Sequence, residues 1–498
     1  MDESRPELFK TSKPNTRKRQ ILKQLTEQEF ERRAARASRV AVFREFLADR
    51  ETPVAALSRL GEDEECFLLE SVAGGEARGR YSYLGIEPCA KIEGADALDE
   101  IRRRFAACRY EAAPELPTFQ GGAVGYIAYD AAGVFEPHVG LTPEKGTPPM
   151  SFMLCDTLLI FDNVLGTVTI VVIADATRPG AYAEAVGRIG RTYDKMLSAE
   201  SIARVMARRT AAQSVASRGA SAEFVSEMSR EEFREMVAKC KDAIVSGEVI
   251  QIVPSQKFTT EADVSGLALY RALRMVNPSP YNFFMRVGGK TLIGSSPEEL
   301  VKLSGRVAST SPIAGTRPRG DTPARDVELE RELKADEKEN AEHVMLVDLG
   351  RNDLGRVCET GSVKVENLAK VERYSHVMHL VSNVRGTLEK GRDAFDLLKA
   401  AFPAGTLSGA PKVRAMQLIS EFEKSPRGVY GGAAGYFSLT GDMDFAIVIR
   451  TLVKEGSRLV MRSGAGIVAD SDADREYAET INKAKAIFEA VKFAEELS

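Results

Sequence analysis

The stretch Ser311–Gly320 reads SPIAGTRPRG and combines prolines, glycines, a threonine and two arginines within ten residues. Gly315 permits a close approach of the backbone to a ligand, and Thr316 offers a hydroxyl. Arg317 and Arg319 carry planar guanidinium groups that suit carboxylates. Because a basic surface turn has a similar composition, this stretch alone fits either a ligand-binding loop or a turn.

Four more motifs follow along the chain, and their order is informative. They are GTLSGAPK (Gly405–Lys412), YGGAAGYF (Tyr430–Phe437), IVIRT (Ile447–Thr451) and GAGIVADSDADREYAET (Gly464–Thr480). Together and in this order, the five motifs resemble those of the chorismate-binding enzymes. The resemblance extends from about residue 40 to about residue 490. It implies an α+β fold with large, mainly antiparallel β-sheets flanked by helices.

Composition narrows the classes of function. The chain has 498 residues, with 68 Lys and Arg against 72 Asp and Glu, for a net charge of −4. This balance gives no electrostatic reason to expect nucleic acid or a membrane surface as a partner. No apolar run reaches the ~20 residues of a membrane-spanning helix, and the six cysteines lack a metal-ligand spacing. We therefore expect a cytoplasmic protein with reduced thiols.

Changes in composition divide the chain into three parts. Residues 1–38 are polar and predict a loosely docked N-terminal arm. Residues 39–215 predict a β-rich N-terminal domain, and the resemblance implies that this domain is regulatory. Residues 223–498 correspond to the chorismate-binding catalytic domain that the resemblance implies. The Ser/Ala/Gly-rich stretch Thr210–Ala222 marks the boundary between them.

Apolar runs between glycine-rich turns predict strands in the first half, and the second half alternates strands and helices. Ser229, with Glu232 three residues on and Gly247 as a stop signal, predicts a capped helix. The phrase GGAVGY at Gly121 returns as GGAAGY at Gly431. Six residues are too few to infer a duplicated fold, so we interpret the phrases as two similar strand turns.

Two pairs of glutamates have the spacing of one helix face. Glu339 and Glu342 are three residues apart in a charged, helical context, and Glu476 and Glu479 repeat the arrangement. Like charges at this spacing repel, so a cation between two such helices would relieve both pairs, and oxygen-only ligands suit Mg²⁺. A solvated helix face is the ordinary alternative. The resemblance implies that Glu342 and Glu479 hold Mg²⁺, which binds the ring carboxylate of chorismate, and that Glu339 and Glu476 support them.

The second carboxylate of chorismate, on its enolpyruvyl group, needs hydrogen-bond donors. Arg450 ends the apolar run FAIVIR, from which a central strand would direct its side chain into a pocket. An arginine at a strand edge is the alternative. The resemblance assigns Arg450 to substrate binding, together with Gly315, Thr316, Tyr430, Gly464, Ala465 and Gly466.

Three residues are candidates for acid–base chemistry. His379, in YSHVMHLVS, matches the active-site histidine of the family, which implies an acid that assists departure of the ring hydroxyl. Without the resemblance, a histidine on this apolar stretch is a core residue. Glu298 matches a glutamate near the ring that handles the ring proton, and Thr406 matches a residue lining the same pocket.

Two positions predict which nucleophile is added to chorismate. Relatives that make aminodeoxychorismate have a lysine where this chain has Ala314, and relatives that add water have a general-base lysine where it has Gln251. A neutral amide cannot deprotonate water, whereas ammonia is already nucleophilic. The resemblance therefore implies amination beside the ring carboxylate and loss of pyruvate, which gives anthranilate in the first step of tryptophan biosynthesis. An aminodeoxychorismate, isochorismate or salicylate synthase is the alternative within the family.

The nitrogen source is expected to be another protein. A glutamine amidotransferase needs an activated cysteine with histidine and carboxylate partners, and no cysteine here lies in a glycine-flanked nucleophile elbow. The resemblance implies a separate glutaminase subunit that feeds ammonia across an interface. We therefore expect a hetero-oligomer.

The resemblance also implies feedback inhibition by tryptophan. The motifs LLES (Leu68–Ser71) and NPSPY (Asn277–Tyr281) match the inhibitor site, where Ser71 and the segment Pro280-Tyr281-Asn282 would hold tryptophan. Asn282 replaces the methionine expected in enteric relatives, which leaves the affinity open. The alternatives are an ordinary buried strand end for LLES and a catalytically silent, tryptophan-sensing subunit for the whole chain.

Overall fold

The computed structural model describes residues 22–61, 64–71, 79–143, 146–198, 223–373 and 377–497. The helices of this part of the chain, numbered in chain order, are α1 (Glu27–Ala34), α2 (Pro53–Leu60), α3 (Ala97–Ala106), α4 (Ala132–Phe135), α5 (Ala181–Leu197), α6 (Arg230–Val245), α7 (Gly266–Val276), α8 (Pro323–Ala335), α9 (Glu337–Gly355), α10 (Ala394–Ala401), α11 (Lys412–Phe422) and α12 (Ala473–Leu497).

The strands are numbered in the same way. They are β1 (Arg39–Leu47), β2 (Cys66–Glu70), β3 (Tyr81–Ile86), β4 (Ala90–Glu93), β5 (Tyr110–Glu111), β6 (Gly122–Ile127), β7 (Met150–Cys155), β8 (Thr157–Asp162), β9 (Thr167–Asp175), β10 (Val225–Ser226), β11 (Gln251–Ile252), β12 (Ser255–Glu261), β13 (Tyr281–Val287), β14 (Lys290–Ser296), β15 (Glu299–Ser304), β16 (Val307–Thr310), β17 (Ile313–Pro318), β18 (Lys364–Arg373), β19 (Val377–Thr387), β20 (Gly409–Ala410), β21 (Ala433–Ser438), β22 (Met443–Ile447), β23 (Thr451–Glu455) and β24 (Arg458–Gly464).

Twelve strands form the larger sheet, in the spatial order β10-β12-β24-β23-β14-β13-β2-β3-β8-β9-β1-β5. Neighbouring strands are antiparallel, except for the parallel pair β1 and β5. β13, from the second half of the chain, pairs with β2 from the first half and sets Phe284 opposite Leu68. Both residues are fully buried, so the two halves share one hydrogen-bonded sheet and one core.

The second sheet has ten strands, in the order β17-β19-β16-β15-β22-β21-β6-β7-β4 with β18 beside β19. β6 and β21 carry the two similar phrases and pair with each other, with Gly125 opposite Gly435. A Cβ at Gly125 would lie 2.0 Å from the Ser151 carbonyl oxygen, and one at Gly435 would lie 2.1 Å from the Asp444 carbonyl oxygen. Neighbouring strands therefore approach too closely for any side chain. The repeated phrase marks two partner strands and not two similar turns.

The two sheets pack face to face through aromatic rings. Phe119 stacks on Tyr436 of β21 with 4.2 Å between the ring centroids, and Tyr83 of β3 meets Phe119 edge-on at 5.3 Å. β3 belongs to the twelve-stranded sheet and β21 to the ten-stranded one. Each such contact adds about 0.5–1.5 kcal/mol beyond the burial of apolar surface, so the cluster stabilises the contact between the sheets.

Three helices, α6, α9 and α12, hold the region of the candidate site. α6 begins with the predicted capping box, in which the Ser229 hydroxyl accepts from the Glu232 N–H and the Glu232 carboxylate accepts from the Ser229 N–H. The helix ends at Val245, two residues before the predicted stop at Gly247. α9 packs on β17 and β19, and α12 packs on β24, α6 and α7.

The predicted α+β fold with large, mainly antiparallel sheets is confirmed. Strands from both sides of the predicted domain boundary share each large sheet, while residues 210–222 lie outside the described residues. The division into regulatory and catalytic domains stays a prediction. Of the predicted N-terminal arm, residues 1–21 are likewise outside the described ranges, and α1 buries Phe30 in the core of the larger sheet. Within the described ranges, no helix combines the length and apolar character needed to cross a bilayer.

Candidate active site

Gly315 is the point at which β17 and β19 change register. The pairing shifts between Ala314 and Thr316, so that Gly315 forms a bulge. Its φ of +64° lies in the left-handed region, and a Cβ there would lie 2.9 Å from Leu333 Cδ1. Glycine meets both conditions without strain. The Gly315 carbonyl oxygen lies 3.0 Å from Nδ1 of His379.

The surroundings of His379 determine its protonation. Nδ1 also lies 3.1 Å from the Thr316 hydroxyl oxygen. Because a carbonyl only accepts, Nδ1–H donates to Gly315, and Nε2 of the neutral ring carries the lone pair. Burial lowers the pKa of His379, the Gly315 carbonyl raises it, and the nearby Arg450 cation lowers it. The predicted role as an acid therefore requires a second proton, which an anionic substrate would favour.

The two arginines of SPIAGTRPRG bind carboxylates of the protein itself. Arg317 contacts Asp336 at 2.7 Å and Glu339 at 3.3 Å. Arg319 donates to Asp326 through Nε and Nη2, with Nη2 at 2.8 Å. The carboxylates that these guanidinium groups suit are therefore supplied by the protein itself. The pairs anchor the motif to α8 and α9.

The predicted metal ligands form two pairs on two helices. In α9, burial raises the pKa of Glu339, Arg317 lowers it, and the charge of Glu342 raises it. In α12, burial raises the pKa of Glu476, and the charge of Glu479 adds to this effect. Each pair therefore repels itself, as the spacing predicts.

Contacts around the two helices bring the pairs toward one region. Gln251 Nε2 donates to Glu342 Oε1 at 3.0 Å. Gly466, in the loop before α12, lies beside both groups, since a Cβ there would be 3.0 Å from Gln251 Nε2 and 3.9 Å from Glu342 Oε1. Lys338 of α9 contacts Asp470 of the same loop at 3.3 Å. The Glu342 carboxylate and the loop before α12 therefore share one surface.

These carboxylates fit a hard cation that keeps part of its water shell. In the ranges that the structure describes, no three histidines, cysteines, aspartates or glutamates converge into a closed metal cage. Glu479 instead contacts Lys483 at 2.6 Å. Mg²⁺ is usually held by one or two carboxylates with substrate and water completing its shell. The donor set fits Mg²⁺ shared with a substrate and does not fit a structural metal enclosed by protein.

Arg450 lies in the connection between β22 of one sheet and β23 of the other. The strand of the FAIVIR run ends at Ile447, so Arg450 is not delivered by a strand, and its φ of +49° is strained for a residue with a side chain. Its guanidinium makes no ion pair or hydrogen bond with any described residue. Burial lowers its pKa, and the ionisable groups near it are Tyr430, Glu298 and Glu479. A half-buried guanidinium without a carboxylate partner is suited to a ligand anion.

Tyr430 lies against the loop that begins at Gly464. A Cβ at Gly464 would lie 2.9 Å from the Tyr430 hydroxyl and 2.7 Å from the Pro254 carbonyl oxygen. Ala465, which follows, is fully buried. Burial raises the pKa of Tyr430 to about 12, so its phenol stays neutral and able to donate.

Lys483 is a functional candidate that sequence reasoning missed. Its Nζ donates to the Gly464 carbonyl at 3.1 Å and contacts Glu479, one helical turn away. Its charge also lowers the pKa of Glu298. The spacing of four residues from Glu479 on a predicted helix was the available signal.

Glu298 and Thr406 lie together at the edge of this region. Glu298 is 8% exposed, and burial raises its pKa to about 7 against the lowering effects of Thr406, Lys483 and Arg450. Thr406 Oγ1 is buried beside this carboxyl and lacks a hydrogen-bond partner of good geometry among the described residues. A carboxyl with a pKa near neutrality can both accept and release a proton.

The residues predicted to bind an inhibitor meet where β2 and β13 pair. Asn282 lies opposite Glu70, and continuing this register by one residue sets Ser71 opposite Tyr281. Ser71 and Tyr281 are half-buried, and Pro280 is buried. The structure therefore brings the two predicted segments together.

The side chain of Asn282 is already occupied. Its Nδ2 donates to the Ser279 carbonyl at 2.6 Å, and its Oδ1 accepts from Ser295 Oγ at 2.9 Å. The Ser295 N–H in turn donates to the Arg450 carbonyl at 3.2 Å. Asn282 is thus connected by one residue to the backbone of Arg450.

Comparisons of sequence and of structure match this chain to the same family of proteins over nearly its whole length. Residues 64–489 match the family described as chorismate binding enzyme. The chain is similar to anthranilate synthase component 1 of Streptomyces coelicolor, at 46% identity over 92% of this chain and 89% of that protein. It is also similar to anthranilate synthase component 1 of Neisseria meningitidis serogroup B, at 42% identity over 95% of this chain and 99% of that protein. Its fold is similar to the crystal structure of anthranilate synthase component I from Streptococcus pneumoniae, with a TM-score of 0.71 and 36% identity over 89% of this chain and 99% of that one.

We expect Glu298→Gln to change how stability depends on pH. The Glu298 pKa rises from 4.5 to about 7 on folding, so its contribution is full below the lower value and is lost as pH rises through the higher one. Relative to the variant, the wild type should lose about 2.5 kcal/mol of unfolding free energy between about pH 5 and about pH 8. Urea unfolding at both pH values measures this loss. Equal pH dependence of the two proteins would contradict a buried Glu298 carboxyl, and the exposed Glu337→Gln on α9 is the control.

Proposed function

The chain belongs to the chorismate-binding enzymes, and on this basis we propose that it is the synthase component of an anthranilate synthase. It combines chorismate with ammonia and releases pyruvate and water, giving anthranilate in the first step of tryptophan biosynthesis. One observation carries the proposal furthest: Arg450 is half-buried, lacks a carboxylate partner in the described chain and lies near Tyr430 and Glu298. The names of relatives at 46% and 42% identity support anthranilate as the product.

The substrate carries two carboxylates on a small ring. Arg450 binds the enolpyruvyl carboxylate through its guanidinium, and the Tyr430 hydroxyl is a second donor. The loop Gly464-Ala465-Gly466 forms a wall of the pocket, since a side chain at either glycine would collide with Tyr430 or Gln251. Gly315 and Thr316 line the pocket beside His379.

Mg²⁺ is the proposed cofactor. Glu342 and Glu479 hold it, and Glu339 and Glu476 support them. When bound, the ion neutralises the ring carboxylate of chorismate and orients it. The self-repulsion of both glutamate pairs and the hydrogen bond from Gln251 to Glu342 support this assignment.

His379 and Glu298 carry out different proton transfers in the proposed reaction. Ammonia attacks the ring carbon beside the carboxylate-bearing carbon, and the ring hydroxyl leaves as water with a proton from His379 in its imidazolium form. The attached ammonium group then returns a proton to His379 and becomes the amine. Glu298 then takes the ring proton, and the C–H electron pair completes the aromatic ring as the C–O bond to the enolpyruvyl group breaks. Enolpyruvate leaves and gains a proton to become pyruvate. A base with a pKa near 7 suits this transfer, and Thr406 lies beside the Glu298 carboxyl.

Two residues favour ammonia over the other nucleophiles of the family. The Gln251 amide is engaged with Glu342, so it positions a carboxylate and does not serve as a base for water. Ala314 has no amine with which to attack the ring. The aminodeoxychorismate, isochorismate and salicylate alternatives therefore lack their characteristic lysines here.

Ammonia is supplied by a separate glutaminase subunit in this proposal. The relatives are called component 1, a name that implies a second component. A nucleophilic cysteine needs a lowered thiol pKa. Burial raises the thiol pKa of four cysteines in this chain, Cys89, Cys155, Cys240 and Cys358. We therefore expect a hetero-oligomer of the two components.

Tryptophan is the proposed feedback inhibitor, bound where β2 ends beside β13. Ser71, Pro280 and Tyr281 offer a hydroxyl, an apolar surface and an aromatic ring at this place. Because the amide of Asn282 is held by Ser279 and Ser295, its backbone would face the inhibitor.

The experiment that tests the proposal follows anthranilate fluorescence. Purified chain receives chorismate, Mg²⁺ and an ammonium salt in mildly alkaline buffer, and a parallel sample contains EDTA. We expect emission that grows with time and that EDTA abolishes. Consumption of chorismate without anthranilate would indicate another chorismate-using enzyme, identified by chromatography. No consumption would favour the silent, tryptophan-sensing alternative.

Glu342→Gln should abolish turnover that depends on Mg²⁺, because the neutral amide is a far weaker ligand than the carboxylate. We expect kcat to fall by about 100-fold or more, with circular dichroism unchanged. Glu337→Gln, an exposed position on the same helix, is the matched control. Unchanged activity of Glu342→Gln at saturating Mg²⁺ would remove Glu342 from the metal site.

Ser71→Phe should relieve inhibition by tryptophan and spare turnover, because the larger ring fills the end of the β2–β13 junction. We expect the inhibition constant to rise by about tenfold or more, which corresponds to about 1.4 kcal/mol. Steady-state rates at several tryptophan concentrations measure the change, with Ser71→Ala as the conservative control. Equal inhibition of Ser71→Phe and wild type would place the inhibitor elsewhere.

A further inference from the structure

Glu298 lines a small cavity that the proposed reaction, as described so far, does not use. Its volume is about 40 Å³, and its polar lining includes Glu298, Thr406 and Asp353 among apolar side chains such as Leu346 and Leu354. A buried water needs roughly 10–15 Å³ and two to four polar partners, so this space has room for about two or three waters.

Thr406 provides a polar group at the start of this cavity. Its Oγ1 is buried without a hydrogen-bond partner of good geometry in the described chain. Thr310 lines the same cavity, but its hydroxyl donates to the Leu300 carbonyl at 2.9 Å. The Thr406 hydroxyl lies close enough to the Glu298 carboxyl to lower its pKa by hydrogen bonding. Its remaining lone pairs have no donor in the described chain, so a cavity water beside Glu298 is their natural partner.

Asp353 of α9 marks the other end. Lys412 Nζ contacts both carboxylate oxygens of Asp353, at 2.8 and 2.9 Å. The two side chains are 16% and 15% exposed, so the cavity approaches solvent at this pair. The cavity therefore spans the distance between a buried carboxyl and a carboxylate in contact with bulk water.

The charged groups that face Glu298 favour its ionised form. Lys483 on α12 and Arg450 in the connection between β22 and β23 both lower its pKa. Glu299 also lines the cavity, and its carboxylate accepts from the Tyr281 hydroxyl at 3.2 Å. These charges oppose the effect of burial, so Glu298 can lose its proton again after each transfer, and the cavity offers the route.

We propose that water in this cavity connects Glu298 to solvent through Thr406 and Asp353 and carries away the ring proton after each turnover. The inference rests on the proposed function, in which Glu298 takes that proton. Protonated Glu298 gives its proton to the first water, this water passes one of its own onward, and Asp353 accepts a proton and releases it to solvent. No bond to carbon changes in the relay, and Glu298 returns to the carboxylate. The hydroxyl of Thr406 thus positions the water, and Asp353 passes the proton to solvent.

The test compares Asp353→Asn with wild type in anthranilate formation from chorismate and an ammonium salt. We expect kcat to fall about tenfold with the KM for chorismate unchanged. The solvent deuterium isotope effect on kcat should rise, because proton release now limits turnover. Imidazole buffer, a mobile proton acceptor, should restore part of the lost rate. A merely structural role for Asp353 would change neither the isotope effect nor the response to buffer.

Two matched variants keep the test decisive if Asp353→Asn does not fold. Thr406→Val should raise the isotope effect in the same way, whereas Thr310→Val, which removes a hydroxyl already in use, should behave as wild type. Wild-type turnover is measured first, and its absence would overturn the proposed function. With an active wild type, kcat, isotope effect and buffer response that stay unchanged in both Asp353→Asn and Thr406→Val would overturn the relay.

Discussion

Gly125 of β6 and Gly435 of β21, opposite each other in paired strands, are the constraint on which the site depends, because a side chain at either would collide with the next strand, β7 or β22. Side chains cannot be placed there, so the backbone hydrogen bonds of these two strands determine where the second half of the chain meets the first. Tyr430 lies just before β21, and β22, which pairs with β21, leads directly to Arg450. The positions of the two residues proposed to bind the substrate therefore depend on the pairing of β21 with its neighbours. The aromatic cluster around Phe119 then holds the twelve-stranded sheet against the ten-stranded one.

The site gathers charged groups whose charges are only partly compensated. Arg450 is a half-buried cation with no carboxylate partner among the described residues, and Glu298 is a carboxyl whose pKa burial raises to about 7. The glutamate pairs on α9 and α12 repel themselves. Each of these arrangements costs folding free energy in the free protein. A dianionic substrate together with a divalent cation would relieve all of them at once. The folding free energy that these arrangements cost would thus be recovered when the ligands bind.

Local features of this chain were predictable, and those created by tertiary packing were not. The capped helix at Ser229 and the antiparallel strands follow from periodicity and capping residues that lie close together in sequence. The position of Arg450 does not, because the run FAIVIR continues past the end of β22 into the step between sheets. The partners of Arg317 could not be predicted either, since Asp336 reaches it only through the packing of α9 on β17. Lys483 was overlooked because its contact with the Gly464 carbonyl joins a helix to a strand.

Ser295 touches both proposed sites, through its hydroxyl to Asn282 and through its N–H to the strained backbone of Arg450. A ligand beside Asn282 that shifts Ser295 would therefore change the hydrogen bond that supports Arg450. Thermodynamic linkage makes this relation mutual: the factor by which an occupant of one site weakens binding at the other is the same in both directions. An abundant substrate would then weaken the binding of the proposed inhibitor. The two molecules would behave as competitors although they never meet.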